Sequence, residues 1–393
     1  MKIALFGHFL FHTAVGLRQN LDNDVRLFLD SSTLPTCLLD EPLLHDPSFV
    51  QIAPWVTWRK VLRPETAEIT DRLSQYDIAI VTDLGPVFAS RAGIEYVFRP
   101  GGSDLTQFPF PIRSRSTRSR GRSDVVNAII AFRLRQAIRS ASSIWGHPYS
   151  QYFMHAAGRL GLTIGGWLPQ AIDTDLFTPE PSSNENDRGS QAITIFHPTC
   201  MQFKRDPFQI ESGGWKRNDL LLRGFANAVR QGVDAKLVLI SREGSDDQEE
   251  AKQLVAELGI SGSVKWLTAK TPAGFTWREM VSLYRSSDLV VGELGGWLGL
   301  VALEGASCGK PVLNFLNPEP HLTGSTVELM YPAGHPFLQT ESAEEVCNAI
   351  TMLTNPDLRA SIGRESRQWV VDHHERSRVA KRCESMLEEL LAS

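Results

Sequence analysis

The chain has 393 residues, of which 42% are apolar and 22% charged, and a formal net charge of −5; the pI is about 6.1. That length allows two ordinary domains with sizeable cores. The acidic balance excludes nucleic-acid binding by bulk charge, and no apolar run reaches the roughly 18 residues of a membrane span. The five cysteines, Cys37, Cys200, Cys308, Cys347 and Cys383, lack paired metal spacing, which points to a reduced, cytoplasmic protein.

In chain order, residues 2–6 read as a buried first strand that turns at Gly7-His8. A short signal peptide over 3–11 is the alternative, but only Lys2 precedes the apolar stretch and no small-x-small site follows. Further strands are expected at 25–29, 78–81, 96–98 and 144–146. The series restarts near Ile193, with strands at 193–197, 236–240, 264–267, 289–291 and 312–315. Helical patterns at 220–231, 248–258 and 279–286 lie between them. Strands separated by helices imply parallel sheets covered on both faces. The expected class is α/β, with two Rossmann-like, doubly wound parallel-sheet domains facing an interdomain cleft. The domains are placed at 1–178 and 192–375, joined by a polar linker at 179–191. Ser342-Ala343-Glu344-Glu345 fits a capping box opening a helix to about 353, which Asn355-Pro356 ends. A last helix from about 377 to 391, within a terminal segment 376–393, is expected to pack back on the first domain.

The most informative stretch is Gly295-Gly296-Trp297-Leu298-Gly299-Leu300, which follows the 289–291 strand and opens a short helix that stops at Gly309-Lys310-Pro311. Such a loop brings backbone N–H groups and the positive end of a helix dipole to one point, where a diphosphate fits. Glu304 is expected in the first helical turn. There it either accepts hydrogen bonds from ribose hydroxyls or merely complements the dipole. Lys216, at the start of another helical pattern, is either a partner for phosphate or an exposed lysine. Asp104, in Pro100-Gly101-Gly102-Ser103-Asp104, either serves the site or caps a helix. His8 and His12 follow the first strand and either touch phosphate or acceptor or are structural. Asp173-Thr174-Asp175 and Asp22-Asn23-Asp24 share a spacing used for metals, but such pairs are common in turns; no metal ligand is assigned. Arg113, Arg115, Arg118, Arg120 and Arg122 precede an apolar-rich helical segment. They form either a solvated loop or a docking segment for an anionic membrane surface, on its inner face.

The residues from Gly296 to Val312 closely resemble the donor-site signature of retaining glycosyltransferases with the GT-B fold (glycosyltransferase family 4-like). The resemblance implies that Gly295, Gly296, Trp297, Leu298, Gly299 and Leu300 hold the phosphates of a sugar nucleotide and that Glu304 binds its ribose. The family usually has a second glutamate eight positions earlier; Gly296 stands there, and Glu293 is the nearest carboxylate. Residues 215–225 resemble the segment whose lysine meets the donor diphosphate, which marks Lys216, with Arg217 in place of the usual glycine. Arg205 or Lys204 is expected to replace an arginine of the family, since Glu211 occupies its spacing. Residues 98–105 resemble a His-Gly-Ser-Asp loop that faces the transferred sugar; Gly101 replaces the histidine, while Gly102 and Asp104 remain. The implied catalytic set is Lys216, Glu304, Glu293 and Asp104. The implied reaction is transfer from a nucleotide diphosphate sugar to a glycan, lipid-linked or small-molecule acceptor, with retention and with neither metal nor cofactor. The alternatives are a GT-B sugar-nucleotide-binding protein without transferase activity and an epimerase. A phosphorylase lacks an assignable pyridoxal lysine. A dinucleotide dehydrogenase is disfavoured, because Gly7 is followed by His8-Phe9 and not by Gly-x-Gly-x-x-Gly.

Overall fold

The computed structural model describes residues 1–20, 23–30, 38–54, 58–62, 66–110, 122–147, 150–180, 192–242, 247–269, 274–316 and 334–392. Arg113, Arg115, Arg118 and Arg120, Asp22 and residues 181–191 lie outside them. The chain divides into two compact units, residues 1–171 with 376–393, and residues 172–375. Residues 172–178 therefore pack with the second unit.

The first unit is built on β1 (Lys2–Phe6), β2 (Asp24–Leu29), β3 (Val50–Ile52), β4 (Ile78–Val81), β5 (Tyr96–Phe98) and β6 (Ser143–Ile144). All pairings are parallel, in the order β3-β2-β1-β4-β5-β6. β3 has only three residues, one of them exposed, too short to leave a periodic signal. The helices of this unit are α1 (Phe11–Asn20), α2 (Trp58–Leu62), α3 (Thr66–Leu73), α4 (Gly85–Ala92), α5 (Ser103–Thr106), α6 (Arg122–Arg139) and α7 (Gln151–Leu160). The strands β1 and β4 are buried almost throughout, as continuous apolar runs of a sheet covered on both faces must be. The C-terminal helix Arg376–Leu391 packs on α1 and buries Val379, Ala380, Cys383 and Leu387. A Cβ on Gly16 of α1 would lie 2.4 Å from the Arg376 carbonyl oxygen, so glycine sets how closely these helices approach.

The second unit holds β7 (Ile193–His197), α8 (Pro207–Ser212), α9 (Asn218–Arg230), β8 (Ala235–Ser241), α10 (Gln248–Glu257), β9 (Val264–Thr268), α11 (Trp277–Ser286), β10 (Leu289–Val291), α12 (Leu300–Ser307), β11 (Val312–Leu313), α13 (Ala343–Met352) and α14 (Pro356–His374). Its parallel sheet runs β11-β10-β7-β8-β9. Leu221, Leu222 and Phe225 of α9 meet Val346 and Ile350 of α13 in one core. Both ends of α13 differ in kind. Ser342 and Glu345 form the reciprocal capping box, but Asn355-Pro356 starts a helix as well as following one. The Asn355 Oδ1 accepts from the N–H groups of Asp357 and Leu358 at 3.0 and 3.1 Å, and Pro356 takes the first helical position, where a missing N–H costs nothing.

In both sheets the strand order reverses direction beside the first strand, between β1 and β4 and between β7 and β10. In doubly wound sheets ligands gather outside the carboxyl ends of the strands at this switch point.

Candidate functional site

At the switch point of the second unit, β7 ends on His197, which is fully buried. Its Nδ1 lies 2.9 Å from the Val291 carbonyl oxygen at the end of β10. A carbonyl only accepts, so Nδ1 carries the hydrogen. Nε2 then accepts from the Asn218 amide at 2.7 Å, with the Thr199 hydroxyl 2.8 Å away. Burial holds the imidazole neutral, with its pKa lowered to about 4. Asn218 opens α9 and its Oδ1 accepts from the Gln202 N–H at 2.8 Å. One buried imidazole thus ties together the ends of β7 and β10 and the start of α9. These polar residues carried no motif; the available signal was a histidine ending an apolar strand.

After β10 the chain runs through residues 292–299 before α12 begins. Asn314, buried beyond β11, accepts from the Glu293 N–H at 2.8 Å and donates to the Trp297 carbonyl at 2.8 Å. The Trp297 indole donates to the Gly213 carbonyl at 2.8 Å. A Cβ on Gly295 would sit 2.4 Å from the Trp215 carbonyl oxygen, so the loop passes directly over the segment that carries Lys216. Gly296 takes φ 99°, which few other residues tolerate. Among the described residues, the N–H groups of Gly296, Leu298, Gly299 and Leu300 have no hydrogen-bond partner. They stand at or before the start of α12, where the dipole adds positive potential.

Lys216 and Glu293 flank this loop. The Lys216 Nζ lies 2.8 Å from the Glu293 Oε1, and both side chains are largely buried. Burial is the largest single influence and opposes the lysine charge, but the Glu293 carboxylate and Cys200 together outweigh it and the pKa is raised. Lys216 is therefore not an exposed helix-start lysine: α9 begins at Asn218, two residues later. Arg217 between them adopts φ 55°, the left-handed conformation that favours glycine. Its guanidinium reaches the Glu341 carbonyl at 2.8 Å and stacks over Trp215, as does that of Arg205 at 5.3 Å. Lys204 instead turns to Glu250 and Asp247.

Glu304 differs from the expectation. Gly299 is extended and acts as N-cap, and α12 already begins at Leu300, so Glu304 is the fifth helical residue, in the second turn. Its Oε2 accepts from the buried Tyr284 hydroxyl at 2.7 Å, and its Oε1 has no partner among the described residues. Burial raises the carboxyl pKa to about 7, with the Tyr284 hydrogen bond acting the other way.

The candidates in the first unit form a separate constellation at the switch point of its own sheet. Gly7, after β1, has φ 104°, and a Cβ there would overlap the Thr82 hydroxyl. Asp83, after β4, is left-handed at φ 50°. Asp104 is not a helix cap; Gly102 holds that position, without any side-chain bond. The buried Asp104 carboxylate gathers the N–H groups of Gly101, Gly102 and Asp83 at 2.9–3.0 Å. Those two glycine donors are consequently engaged internally. Burial, with the Asp104 charge added, pushes Asp83 up to about 7. Arg99, buried beside them, donates to the Leu168 carbonyl. Burial alone lowers His8 to about 4 and is the larger cause in bringing His12 to about 3, with the Arg376 charge adding to it. The ring of His8 lies against Phe9. Asp173 is a turn former: its Oδ1 accepts from the N–H groups of Asp175 and Leu176 at 3.1 Å.

Two parallel doubly wound units of this order are the GT-B fold. The fold matches Anabaena HepE, solved in complex with UDP and glucose, with a TM-score of 0.65 at 16% identity over 99% of this chain and 100% of that one. It also matches sucrose-phosphate synthase from Thermosynechococcus elongatus, with a TM-score of 0.63 at 14% identity over 100% and 99%. In sequence the chain is 30% identical over 159 residues to the D-inositol 3-phosphate glycosyltransferase of Corynebacterium jeikeium, covering 37% of this chain and 34% of that protein. The corresponding enzyme of Salinispora arenicola is 36% identical over 107 residues, covering 25% and 22%. The chain thus spans about a third or less of the length of these curated relatives. No family model matches it.

Proposed function

We propose that the protein is a retaining glycosyltransferase that draws on a nucleotide diphosphate sugar, with no metal or cofactor, and passes the sugar to a glycan, lipid-linked or small-molecule acceptor. The observation that carries this is the loop at 295–300, with four unpartnered N–H groups, beside the Lys216–Glu293 ion pair and the open Oε1 of Glu304. The curated relatives named glycosyltransferases and the UDP-bound structural neighbour agree with it.

In this reading the donor diphosphate lies against the amides of Gly296, Leu298, Gly299 and Leu300. The Glu304 Oε1 accepts from the ribose hydroxyls, and Tyr284 fixes the carboxylate. The bond from the sugar C1 to the β-phosphate oxygen breaks as the acceptor oxygen bonds to C1 on the same face. The departing phosphate oxygen takes the acceptor proton, and the nucleoside diphosphate leaves. Lys216 and the amide dipoles stabilise the charge that grows on that oxygen, an effect worth on the order of 10²–10³ in rate for a single well-aimed donor. Glu293 positions Lys216. Asp104 holds the loop of Gly101 and Gly102, where the resemblance places the transferred sugar, and His8 and His12 are proposed to lie towards the acceptor or phosphates. An anionic membrane, reached through Arg113–Arg122, is the proposed setting for a lipid-linked acceptor.

A panel of sugar nucleotides tests the donor: a ligand at 100 times its dissociation constant adds about 2.7 kcal/mol of stability, read as a rise in Tm. Lys216→Ala is expected to lower turnover at least 100-fold, the order of one lost charge-stabilising donor, and Glu304→Ala to lower it severely by leaving the ribose hydroxyls without their acceptor, while circular dichroism stays that of the folded chain. Wild-type turnover in either variant would refute the assigned roles. Donor binding without transfer to any acceptor pool would favour the non-catalytic alternative.

A further inference from the structure

The constellation in the first unit holds a carboxyl oxygen that the fold does not use. Asp83 follows β4 and is held at φ 50°, a strained conformation of the kind that collects at functional sites. Its N–H donates to Asp104 at 2.9 Å. Its Oδ2 lies 3.1 Å from the Thr82 hydroxyl, which donates to the Phe6 carbonyl at 3.0 Å. Its Oδ1 has no partner among the described residues. The carboxyl group also borders Gly7, where a Cβ would stand 3.3 Å from Oδ2. Gly7 leads into His8 and Phe9, whose ring centroids are 4.1 Å apart. The Phe9 ring reaches Gly101, where a Cβ would stand 3.3 Å from it. Phe9 is half-buried and Gly101 exposed, and a Cβ on Gly102 would meet nothing within 4 Å. An unpartnered carboxyl oxygen and an aromatic ring are therefore brought together where β1, β4 and β5 end, next to open space.

The arrangement is ill suited to a phosphate. The N–H groups of Gly101, Gly102 and Asp83, which could have cradled one, all donate to Asp104. Arg99 is only 5% exposed, and its charge balances that of Asp104. Burial keeps His8 neutral. Two carboxyl groups oppose an added anion. Ring hydroxyls fit better, because a carboxyl oxygen accepts from them and the C–H groups of a sugar ring pack on an aromatic face. We propose that these strand ends bind the acceptor as a neutral, polyhydroxylated ring, with Asp83 Oδ1 taking a hydroxyl and Phe9 facing the C–H groups, and that they disfavour a phosphorylated one. That such a ring is the acceptor rests on the transferase reading; the binding chemistry does not.

Saturation-transfer NMR on the full chain, with methyl glycosides of glucose, galactose and mannose beside their 6-phosphates, tests the proposal. The neutral glycosides are expected to bind and the phosphates to bind at least tenfold more weakly. Asp83→Gly removes the carboxyl group while suiting the positive φ, and Phe9→Leu removes the ring while keeping an apolar side chain. Each is expected to weaken neutral-glycoside binding about tenfold, the order of one lost hydrogen bond or aromatic contact, and Asp83→Asn, which keeps an oxygen acceptor, to recover part of it. The rise in Tm with sugar nucleotides is expected to survive in all three, which a merely structural role for these residues would not predict. Preference for the 6-phosphates would overturn the proposal, as would neutral-glycoside binding that Asp83→Gly and Phe9→Leu both leave intact. Absence of neutral-glycoside binding would overturn it too; a Tm rise with sugar nucleotides in the same samples would leave the transferase reading standing. Asp83-dependent glycoside binding without any such rise would uphold the carbohydrate site and remove the transferase reading instead.

Discussion

A carboxyl group enclosed with a phenol, as Glu304 is with Tyr284, prefers to hold its proton. Its folded pKa of about 7 stands above the ordinary 4.5, so between those values the folded state binds the proton more tightly than the unfolded one. Stability from this group is greatest below pH 4.5 and falls as the pH rises to about 7, by on the order of 1–3 kcal/mol. Glu304→Gln removes the ionisation. It is expected to raise Tm against wild type at pH 8, with a smaller rise at pH 5, while weakening sugar-nucleotide binding at both. Thermal unfolding with and without donor reads the two effects separately. A stability cost at a candidate binding residue is a common consequence of selection for function. The sequence showed Glu304, Lys216 and the glycines by their type and order. It did not show His197, Asn218 or Asn314, because a buried polar network is assembled from residues far apart in the chain.

At the level of elements, two close helix contacts depend on a missing methyl group. A Cβ on Gly224 of α9 would lie 2.5 Å from the Val346 Cβ and 2.6 Å from the Ala343 carbonyl oxygen of the facing α13. Gly16 stands in the same relation to the C-terminal helix. Gly224→Ala and Gly16→Ala are each expected to destabilise by about 1–3 kcal/mol, as overpacking does, despite the better helix propensity of alanine. A lower urea midpoint at unchanged slope would show it. The apolar strands β1, β4, β5, β7 and β10 were legible because each is a short run bounded by turn residues. β3 was too short, and α14 was obscured because Asn-Pro ends one helix and caps the next. The start of α12 was placed late relative to Glu304, since the extended conformation that makes Gly299 the N-cap is set by its surroundings.

Across the whole molecule, titration is dominated by histidines buried in the neutral form. His8, His147 and His197 have pKa values lowered to about 4 and His12 to about 3, in each case chiefly by burial. The unfolded chain takes up protons near 6.5, so stability is lost as the pH falls from about 6.5 towards 4, by several kcal/mol in sum. Glu304 and Asp83, raised to about 7, and Asp104 and Asp219, also raised, act in the opposite sense, against five lowered histidines among the described residues once His335 is included. The unfolding free energy is expected to peak near pH 6.5, and urea titrations across pH 4–8 check it; a maximum at pH 5 or below would contradict the burial of these imidazoles. Local order along the chain, by itself, determined the alternation of strands and helices and the glycine-rich turn, because periodicity and backbone freedom act between near neighbours. The reversed strand order of each sheet, the pairing of Lys216 with Glu293 and the enclosure of Glu304 by Tyr284 were decided only in the tertiary structure. These contacts join residues between 20 and about 80 positions apart, and only the packed sheet determines which of them meet.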